Sequence, residues 1–296
     1  MTSESINVGS IDVHRVEELL MPTSMRWLFP ELEDGRPVVE ANRDWLAPHF
    51  INERGHLLQS IHSLLFKVNG ATVIVDTCVG NDKQRPNGSP EWHLRDGPFL
   101  AELGAAADPA AVDLVICTHL HVDHVGWNTR LVDGTWQPTF PNARYLFVDR
   151  EIEHWERLAA NETDTATLMD DSVRPIVAAG LADIVPADHC INESLWLEPS
   201  HGHTPGHVCV RLSSEGAEAV ISGDLMHSPI QCAIPDARPA LDRDAAPARA
   251  ARHTFLERYA DSGVLVFGTH FNAPSAGLIS RSDDAYRYEA HEGNSA

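Results

Sequence analysis

Apolar residues recur with two different periods along this chain, which predicts a mixture of β-strands and α-helices. Apolar runs of strand length lie at 61–68 and 71–75, on either side of Asn69-Gly70, a dipeptide that favours a two-residue hairpin turn. Residues 245–259 instead carry apolar side chains at helical spacing, which predicts an amphipathic helix. Further strands are predicted at 6–20, 112–117, 144–148, near Ile184, and at 194–197, 208–212, 219–222 and 264–267, and further helices at 98–105, 149–159 and 165–179 with a break at Pro175.

Two segments lack a regular period. Residues 21–58 carry Met, Trp, Phe and Pro side chains among charges, which predicts a packed loop, a flap over a pocket or part of a dimer contact. We hypothesise that this N-terminal segment shapes the substrate pocket or a subunit interface. Residues 280–296 predict a frayed polar tail, apart from a short strand near Tyr286. The length of 296 residues is ample for one large core, and we expect a single domain over 1–296.

The chain is strongly acidic, with 22 Lys and Arg against 43 Asp and Glu and a formal net charge of −21. Such a charge repels a phosphate backbone, so a nucleic-acid partner is not expected. The sequence starts without a basic and apolar leader pattern and has no uncharged apolar run long enough to span a bilayer. We therefore expect a cytoplasmic protein without a membrane partner.

The densest candidate chemistry is the run Cys117-Thr118-His119-Leu120-His121-Val122-Asp123-His124, which follows an apolar segment. Side chains alternate faces in an extended strand, so His119 and His121 point to one side and can share a cation. Asp123 and His124 are sequence neighbours and reach a second position nearby only if the chain turns there. Imidazole and carboxylate donors suit zinc, and also iron, manganese or cobalt. The run thus predicts four ligands for two divalent metal ions, with zinc first among the candidates.

Short motifs elsewhere in the chain stand in a characteristic order around this run. They are Ile74-Val75-Asp76-Thr77, Thr204-Pro205-Gly206-His207, Ser222-Gly223-Asp224 and Gly268-Thr269-His270. Together with the His-x-His-x-Asp-His run, they resemble the motifs of the metallo-β-lactamase superfamily. The resemblance implies a four-layer αββα sandwich, in which two mixed β-sheets are flanked by helices. Periodicity alone predicts only a mixed α/β protein.

The same resemblance implies a ligand set for two metal ions. His201 and His203 compete with His207 for the third place at the first ion. The motif spacing favours His207, and it leaves His203 to contact backbone and His201 to face solvent. Asp76 either accepts a hydrogen bond from a ligating imidazole or caps a turn. The first ion would be bound by His119, His121 and His207. The second ion would be bound by Asp123, His124 and His270, and Asp224 would bind both ions.

A ligand set of this kind implies a hydrolase in which water between two cations has a lowered pKa and attacks as a bridging hydroxide. Asp123 would also carry a proton to the leaving group, and His227 would donate a hydrogen bond to the substrate. Lactonases of the superfamily that act on acyl-homoserine lactones have a tyrosine at the position of His227, so this chain departs from their pattern. The block from Gly223 to Gln231 is more similar to the branch that contains methyl parathion hydrolase. The expected substrate is a small molecule with a lactone, carboxylic aryl ester or phosphotriester bond.

Other activities of the superfamily are open alternatives. A mononuclear iron enzyme of the persulfide dioxygenase type needs one metal, and the second set Asp123, His124 and His270 counts against it. A thioesterase like glyoxalase II shares the metal motifs, but no obvious basic cluster near the C-terminus would hold glutathione carboxylates. Lactamases of this fold do not generally use a bridging aspartate, so Asp224 weakens β-lactam cleavage. A non-catalytic binding module would not need a complete ligand set, and a homodimer is the default expectation for assembly.

Overall fold

The computed structural model describes residues 5–291 and Gly293. Its strands are β1 Ser5–Val8, β2 Ile11–Thr23, β3 Leu57–Val68, β4 Ala71–Val75, β5 Leu114–Ile116, β6 Thr129–Val132, β7 Thr135–Pro138, β8 Arg144–Val148, β9 Ala182–Val185, β10 Cys190–Asn192, β11 Leu195–Pro199, β12 Val208–Ser214, β13 Ala217–Ile221, β14 Leu265–Phe267, β15 Ala276–Ser282 and β16 Ala285–Ala290. Its α-helices are α1 Met25–Leu28, α2 Arg36–Ala41, α3 Arg43–Leu46, α4 Phe99–Ala106, α5 Val122–Val125, α6 Asp149–Ala159, α7 Thr163–Leu168, α8 Arg174–Ala178 and α9 Ala245–Tyr259. In the described part of the chain, none of the helices combines the length and the apolar character that a membrane span requires.

The strands form two seven-stranded sheets and one two-stranded ribbon. The first sheet has the order β1-β2-β3-β4-β5-β8-β9, the second runs in sequence from β10 to β16, and β6 pairs with β7. Both sheets are mixed, because β4, β5, β8 and β9 run parallel in the first and β13 runs parallel to β14 in the second. Two mixed sheets accompanied by helices confirm the predicted fold class.

The chain divides into two compact units. Unit 1 contains residues Val13–Glu18 and Ile61–Ala187, and unit 2 contains Leu19–Ser60 together with residues 5–12 and 188–291. The expectation of one domain over the whole chain stays a prediction.

The centre of unit 1 is the hairpin and the parallel strands that the sequence predicts there. Asn69 and Gly70 both have positive φ, +50° and +84°, and they reverse the chain between β3 and β4. β5 then pairs parallel with β4. Because the carboxyl ends of parallel strands meet at one edge of a sheet, Asp76 and the run that begins at Cys117 come together there.

The predicted helix at 165–179 is interrupted at a different place from the one expected. α7 ends at Leu168, a π-helical turn spans Met169–Val173, and α8 follows. Pro175 lies in the first turn of α8, where its missing N–H would have no helical partner in any case. The interruption therefore precedes the proline and lies in the wider turn, which buries Asp171.

The aromatic segment 21–58 belongs to the core of unit 2. It contains the short helices α1, α2 and α3, which the sequence did not predict. Leu28, Phe29, Leu46 and Phe50 are fully buried in one apolar cluster with residues of the second sheet and of α9. The role of this segment in a substrate pocket or a subunit interface stays a prediction.

The predicted polar tail is ordered structure as far as residue 290. β15 and β16 pair antiparallel, with Leu278 opposite Glu289. Tyr288 is buried, and its hydroxyl donates a hydrogen bond of 2.9 Å to the Val266 carbonyl. The prediction that the tail frays from residue 280 onward is therefore wrong for 280–290, because Tyr288 anchors the last strand. The predicted short strand near Tyr286 is confirmed. Residues 292 and 294–296 of the predicted tail lie outside the described residues.

Candidate metal centre

The first ligand run lies in unit 1, where it follows β5 and continues into α5. His119 is buried and His121 is half-buried, and His119 Nε2 approaches His121 Nδ1 to 2.8 Å. Two imidazole nitrogens at this distance present two lone pairs to the same place unless a proton or another cation lies between them. The pair therefore has the arrangement that a shared cation needs.

Asp123 and His124 lie in the first turn of α5. The helix starts immediately after His121, whose backbone is extended with φ −69° and ψ 160°. Asp123 Oδ1 lies 3.8 Å from His124 Nε2, so a carboxylate and an imidazole approach a common position. The predicted turn between the two pairs of ligands is confirmed.

Asp76 orients the imidazole of His124. Its Oδ2 lies 2.8 Å from His124 Nδ1, and its two oxygens accept hydrogen bonds from the backbone N–H and the hydroxyl of Thr118 at 2.8 and 2.9 Å. A carboxylate on Nδ1 favours the tautomer of His124 that carries its proton there, which leaves the Nε2 lone pair for a cation. The predicted role of Asp76 as an imidazole partner is confirmed.

The loop after β4 packs directly on the turn of α5. The Thr77 N–H donates to the His124 carbonyl at 2.8 Å, and the Gly126 N–H donates to the Cys78 carbonyl at 2.7 Å. A Cβ at Gly126 would lie 1.7 Å from the Val79 carbonyl oxygen. Only glycine permits this approach, so position 126 holds the ligand helix against the loop.

Glu151 connects the ligand run to helix α6. Its Oε2 accepts hydrogen bonds from the Leu120 backbone N–H at 3.1 Å and from the Trp155 indole N–H at 2.8 Å. The Trp155 ring in turn lies edge-on to the His121 ring, with centroids 5.2 Å apart. The indole ring of Trp155 is therefore held in one orientation next to the candidate ligand His121.

In unit 2, three imidazoles surround the carboxylate of Asp224. Asp224 is buried in a short helical turn that follows β13. The Nε2 atoms of His203 and His227 each lie 3.3 Å from Asp224 Oδ2, and His270 Nε2 lies 3.0 Å from Oδ1. The two carboxylate oxygens thus face different imidazoles, as a carboxylate that bridges two cations would.

His270 is oriented through its other ring nitrogen. His270 Nδ1 lies 3.0 Å from the carbonyl oxygen of Ser60. A carbonyl only accepts hydrogen bonds, so we assign the proton to Nδ1 and the lone pair to Nε2, on the side of Asp224. This is the tautomer that a metal ligand needs.

His203, and not His207, lies beside the carboxylate of Asp224. His207 Nδ1 lies 2.8 Å from the Ser200 hydroxyl, and His207 Nε2 accepts a hydrogen bond from the Asp224 backbone N–H at 2.8 Å. Both ring nitrogens of His207 are therefore directed at protein groups. The expectation that His203 contacts backbone is wrong for its side chain, and His201 is half-buried. These contacts do not support His207 as a ligand; they favour His203.

His203 is held between two buried carboxylates. Its Nδ1 lies 3.1 Å from Asp242 Oδ1, on the side opposite to Asp224. Burial alone would lower the pKa of His203, but the hydrogen bonds to the two carboxylates outweigh burial and raise this pKa to about 9. A divalent cation between His203 and Asp224 would take the place of that proton.

Arg252 completes this arrangement from the middle of α9. It is fully buried, and its Nη2 donates to Asp242 Oδ2 at 3.0 Å. It also donates to the carbonyls of Leu225 and Pro235 at 3.1 and 3.0 Å. The roles of Asp242 and Arg252 are not predicted from the sequence, although a charged residue on the apolar face of a predicted helix is a signal for Arg252.

His227 is buried beside Asp224 and stacks on His270. The two rings have centroids 5.5 Å apart and are nearly parallel, at 7°. Burial lowers the pKa of His227 and outweighs the attraction of Asp224, so this imidazole is neutral at pH 7. A neutral imidazole keeps one N–H donor.

The donors of each unit fit divalent cations. All of them are imidazole nitrogens and carboxylate oxygens, which suit zinc, iron, manganese or cobalt. Pairs within one unit whose ligand atoms lie within 4.8 Å of each other include His119 and His121, Asp123 and His124, and His203 and Asp224.

No curated protein sequence matches this chain significantly. Among solved structures, the hydrolase AbOPH of the beta-lactamase superfamily has a TM-score of 0.80 at 21% identity, over 98% of both chains. AidC, a dizinc quorum-quenching lactonase in complex with the product N-hexanoyl-L-homoserine, has a TM-score of 0.76 at 20% identity, over 98% of this chain and 97% of AidC. A probable metal-dependent hydrolase from Staphylococcus aureus has a TM-score of 0.73 at 17% identity, over 98% of this chain and all of that one. At these identities the similarities show a shared fold.

The sequence model of one family matches most of the chain. It describes the metallo-β-lactamase superfamily and covers residues 58–270, from β3 to His270. The chain belongs to the metallo-β-lactamase superfamily.

Proposed function

We propose that this protein uses two divalent metal ions to hydrolyse an ester-type bond in a small molecule. The observation that carries the proposal is Asp224, whose two carboxylate oxygens face different imidazoles. The ligand run of unit 1 supplies further donors of the same chemistry, and the order of the superfamily motifs supports the use of both sets together. The bond would be a lactone, a carboxylic aryl ester or a phosphotriester.

The proposed ligand set differs from the one expected from sequence at one position, because His203 replaces His207. Bound at these donors, two divalent ions, with zinc preferred, would polarise the scissile carbonyl or phosphoryl oxygen and lower the pKa of water to about 7. The proposed ligands of the first ion are His119, His121 and His203. Those of the second ion are Asp123, His124 and His270, and Asp224 would bind both ions.

Asp123 is the proposed proton carrier. Its side chain is 11% exposed, so substrate can reach it, while His124 beside it is buried. A carboxylate in this position accepts a proton from the attacking water and delivers it to the leaving oxygen.

His227 is the proposed hydrogen-bond donor to the substrate. Because burial keeps its imidazole neutral, it offers one N–H without adding a charge. Asp76 and Asp242 take no part in the reaction; they orient His124 and His203.

The substrate class rests on the donor set, on the charge of the chain and on similar proteins. Among those, AidC is described as a lactonase and AbOPH as a hydrolase. The net charge of −21 disfavours polyanionic substrates. Neutral esters, lactones and triesters are therefore the substrates to test first.

Metal analysis and a substrate panel test the proposal together. Purified protein should contain two divalent ions per chain and hydrolyse a chromogenic aryl ester, a lactone or a phosphotriester. Asp224→Asn should lower the metal content and reduce kcat/KM by about 10³-fold, as expected if several kcal/mol of transition-state stabilisation are lost. Asp183→Asn, at an exposed ion pair with Arg144, is the matched control and should change neither quantity. One iron per chain with oxygen uptake and no hydrolysis would overturn the proposal in favour of a persulfide dioxygenase.

A further inference from the structure

Glu18 of β2 carries a carboxylate of unit 1 that is neither a proposed metal ligand nor a contact of one. Its side chain is 1% exposed, and Arg95 Nε lies 3.6 Å from its Oε1. A carboxylate in such a place loses its hydration, and an ion pair compensates this loss only when further hydrogen bonds satisfy the remaining oxygen lone pairs. The hydrogen bonds of Glu18 therefore indicate which part of the structure it stabilises.

The Glu18 carboxylate accepts hydrogen bonds from two separate segments. Its Oε2 accepts from the Val79 N–H at 2.7 Å, and its Oε1 accepts from the Gly80 N–H at 3.1 Å, both in the loop after β4. Oε1 also accepts from the indole N–H of Trp127 at 2.8 Å, in the short helical turn directly after α5. Hydrogen bonds to an ionised acceptor are stronger than neutral ones. Glu18 thus joins the loop to the end of the helix that carries Asp123 and His124.

The loop 76–80 needs support from outside because its backbone is strained. Asp76, Cys78 and Gly80 have positive φ of 55°, 52° and 82°. This left-handed region is unfavourable for residues with a Cβ, and it persists where the surrounding structure enforces it. Backbone N–H groups that follow one another in such a loop form a concave site for an anion. The Glu18 carboxylate occupies this site and so favours the strained conformation.

The same loop positions His124 at two points. Asp76 begins the loop, and its Oδ2 lies 2.8 Å from His124 Nδ1. The next residue, Thr77, donates its N–H to the His124 carbonyl at 2.8 Å. These two contacts come from adjacent residues, so a shift of the loop would change both together. Support of the loop is therefore also support of a candidate ligand.

We propose that Glu18 is a positioning residue for the second metal ion, because it holds the loop 76–80 against α5 and so keeps Asp123 and His124 in place. This inference rests on the proposed two-metal function. The run at the first ion has a support of its own, since Glu151 accepts from the Leu120 N–H at 3.1 Å. Glu18 should therefore affect the second ion more than the first.

Glu18→Gln tests this role with little change in side-chain size. The amide nitrogen takes the place of one carboxylate oxygen, so it faces at least one of the three N–H donors and that hydrogen bond is lost. In zinc titrations of metal-free protein against a chelator, the affinity of the second ion should fall about tenfold and that of the first less than about threefold. The titration step that is absent in His124→Ala identifies the second ion.

Glu198→Gln is the matched control. Glu198 is a carboxylate of unit 2 whose Oε2 accepts from Arg211 Nη1 at 3.1 Å and from the Tyr259 hydroxyl at 2.9 Å. Its described hydrogen bonds and ion pairs include none with a proposed metal ligand. This variant should lower stability in urea and leave both zinc affinities at the wild-type level.

Trp127→Phe provides the test if Glu18→Gln does not fold. It removes the indole donor to Glu18 and keeps a ring that can stack on Phe99, where the present ring centroids lie 5.8 Å apart at 23°. The affinity of the second ion should fall about threefold, because Glu18 retains its two hydrogen bonds to the loop. An unchanged second-ion affinity in this variant would then overturn the inference.

A measurement on metal-free protein separates failure of this inference from failure of the proposed function. With isotope-labelled histidine, NMR shows which ring nitrogen of His124 carries the proton, and the wild type and Glu198→Gln should carry it on Nδ1. Glu18→Gln should show a mixture of both tautomers. If the wild type binds fewer than two ions, the proposed function fails, and an unchanged tautomer in Glu18→Gln overturns the inference. If two ions bind, an unchanged second-ion affinity or an equal loss at both ions overturns it.

Discussion

The two units differ in how the chain brings together the candidate ligands within each of them. In unit 1, the four candidates lie in the single run 119–124, which follows one strand and continues into the short helix after it. In unit 2, His203, Asp224 and His270 follow β11, β13 and β14, so they meet only because these strands lie close in one sheet. A contiguous run can be recognised by spacing alone. A dispersed set requires a choice between neighbouring histidines, and there the motif spacing favours His207, whereas the contacts favour His203.

The largest effect we expect separates His203 from His207. His203→Ala should lower the metal content and reduce kcat/KM by about 10³-fold, because it removes the imidazole that shares Asp224 Oδ2. His207→Ala should keep both ions and cost less than about tenfold in kcat/KM, although losing its two hydrogen bonds should cost stability of roughly 1–3 kcal/mol. Elemental analysis, kinetics and circular dichroism on the same preparations give the answer. Greater metal loss in His207→Ala than in His203→Ala would restore the original assignment.

The next effect compares the carboxylates that orient one ligand in each unit. Asp76→Asn and Asp242→Asn should each weaken zinc binding by about 10- to 100-fold, measured by competition with a chelator. Asp242→Asn should also lower stability by roughly 3–5 kcal/mol, because it leaves the buried Arg252 charge without its carboxylate. Among the described ion pairs, the partner of Asp76 is His124, which is charged only when it is protonated. Zinc affinity at the wild-type level in either variant would show that its carboxylate does not orient a ligand.

A smaller effect concerns the glycines that permit close backbone approach in each unit. Gly126→Ala in unit 1 and Gly202→Ala in unit 2 should each lower the free energy of unfolding by at least about 1–3 kcal/mol, measured with urea. Their Cβ atoms would lie 1.7 Å from the Val79 carbonyl oxygen and 2.2 Å from the Ala248 nitrogen. Gly104→Ala, in open space on α4, should instead raise it by about 0.5–1 kcal/mol. A stabilising Gly126→Ala would contradict the packing of the loop on α5.

The smallest effect concerns the pH dependence of stability in unit 1. Burial lowers the pKa of Lys83 from 10.5 to about 7, although Asp171 opposes this shift. Between these two pH values the unfolded chain binds the proton and the folded chain does not, so Lys83 makes the unfolding free energy rise with pH. Lys83→Met should therefore show a smaller rise in Tm from pH 7 to 10 than the wild type. The buried cation of unit 2, Arg252, stays charged over this range and should add no such slope. Parallel Tm curves for the two proteins would contradict the shift at Lys83.

The bounds of strands and helices are predicted best from the sequence where apolar residues keep one period without interruption. The strand at 144–148 and the helices at 149–159 and 245–259 have the bounds that apolar spacing indicated. It predicted poorly where tertiary contacts decide, as for the short helices in 21–58, whose apolar side chains are buried from several directions. The tail at 280–290 looked polar because β16 buries few side chains besides Tyr288. A small-molecule substrate, a homodimer and a cytoplasmic location stay predictions.

Within the site, the sequence by itself determined the chemistry of the donors and the local geometry of one run. Strand alternation and a turn suffice to direct His119, His121, Asp123 and His124, because residues so close along the chain have few ways to be arranged. Only the tertiary structure decided between His203 and His207. Both follow β11 within a few residues, and what distinguishes them is a pair of carboxylates from distant parts of unit 2, Asp224 and Asp242. Their approach depends on strand order and on the buried Arg252, which no short-range pattern encodes.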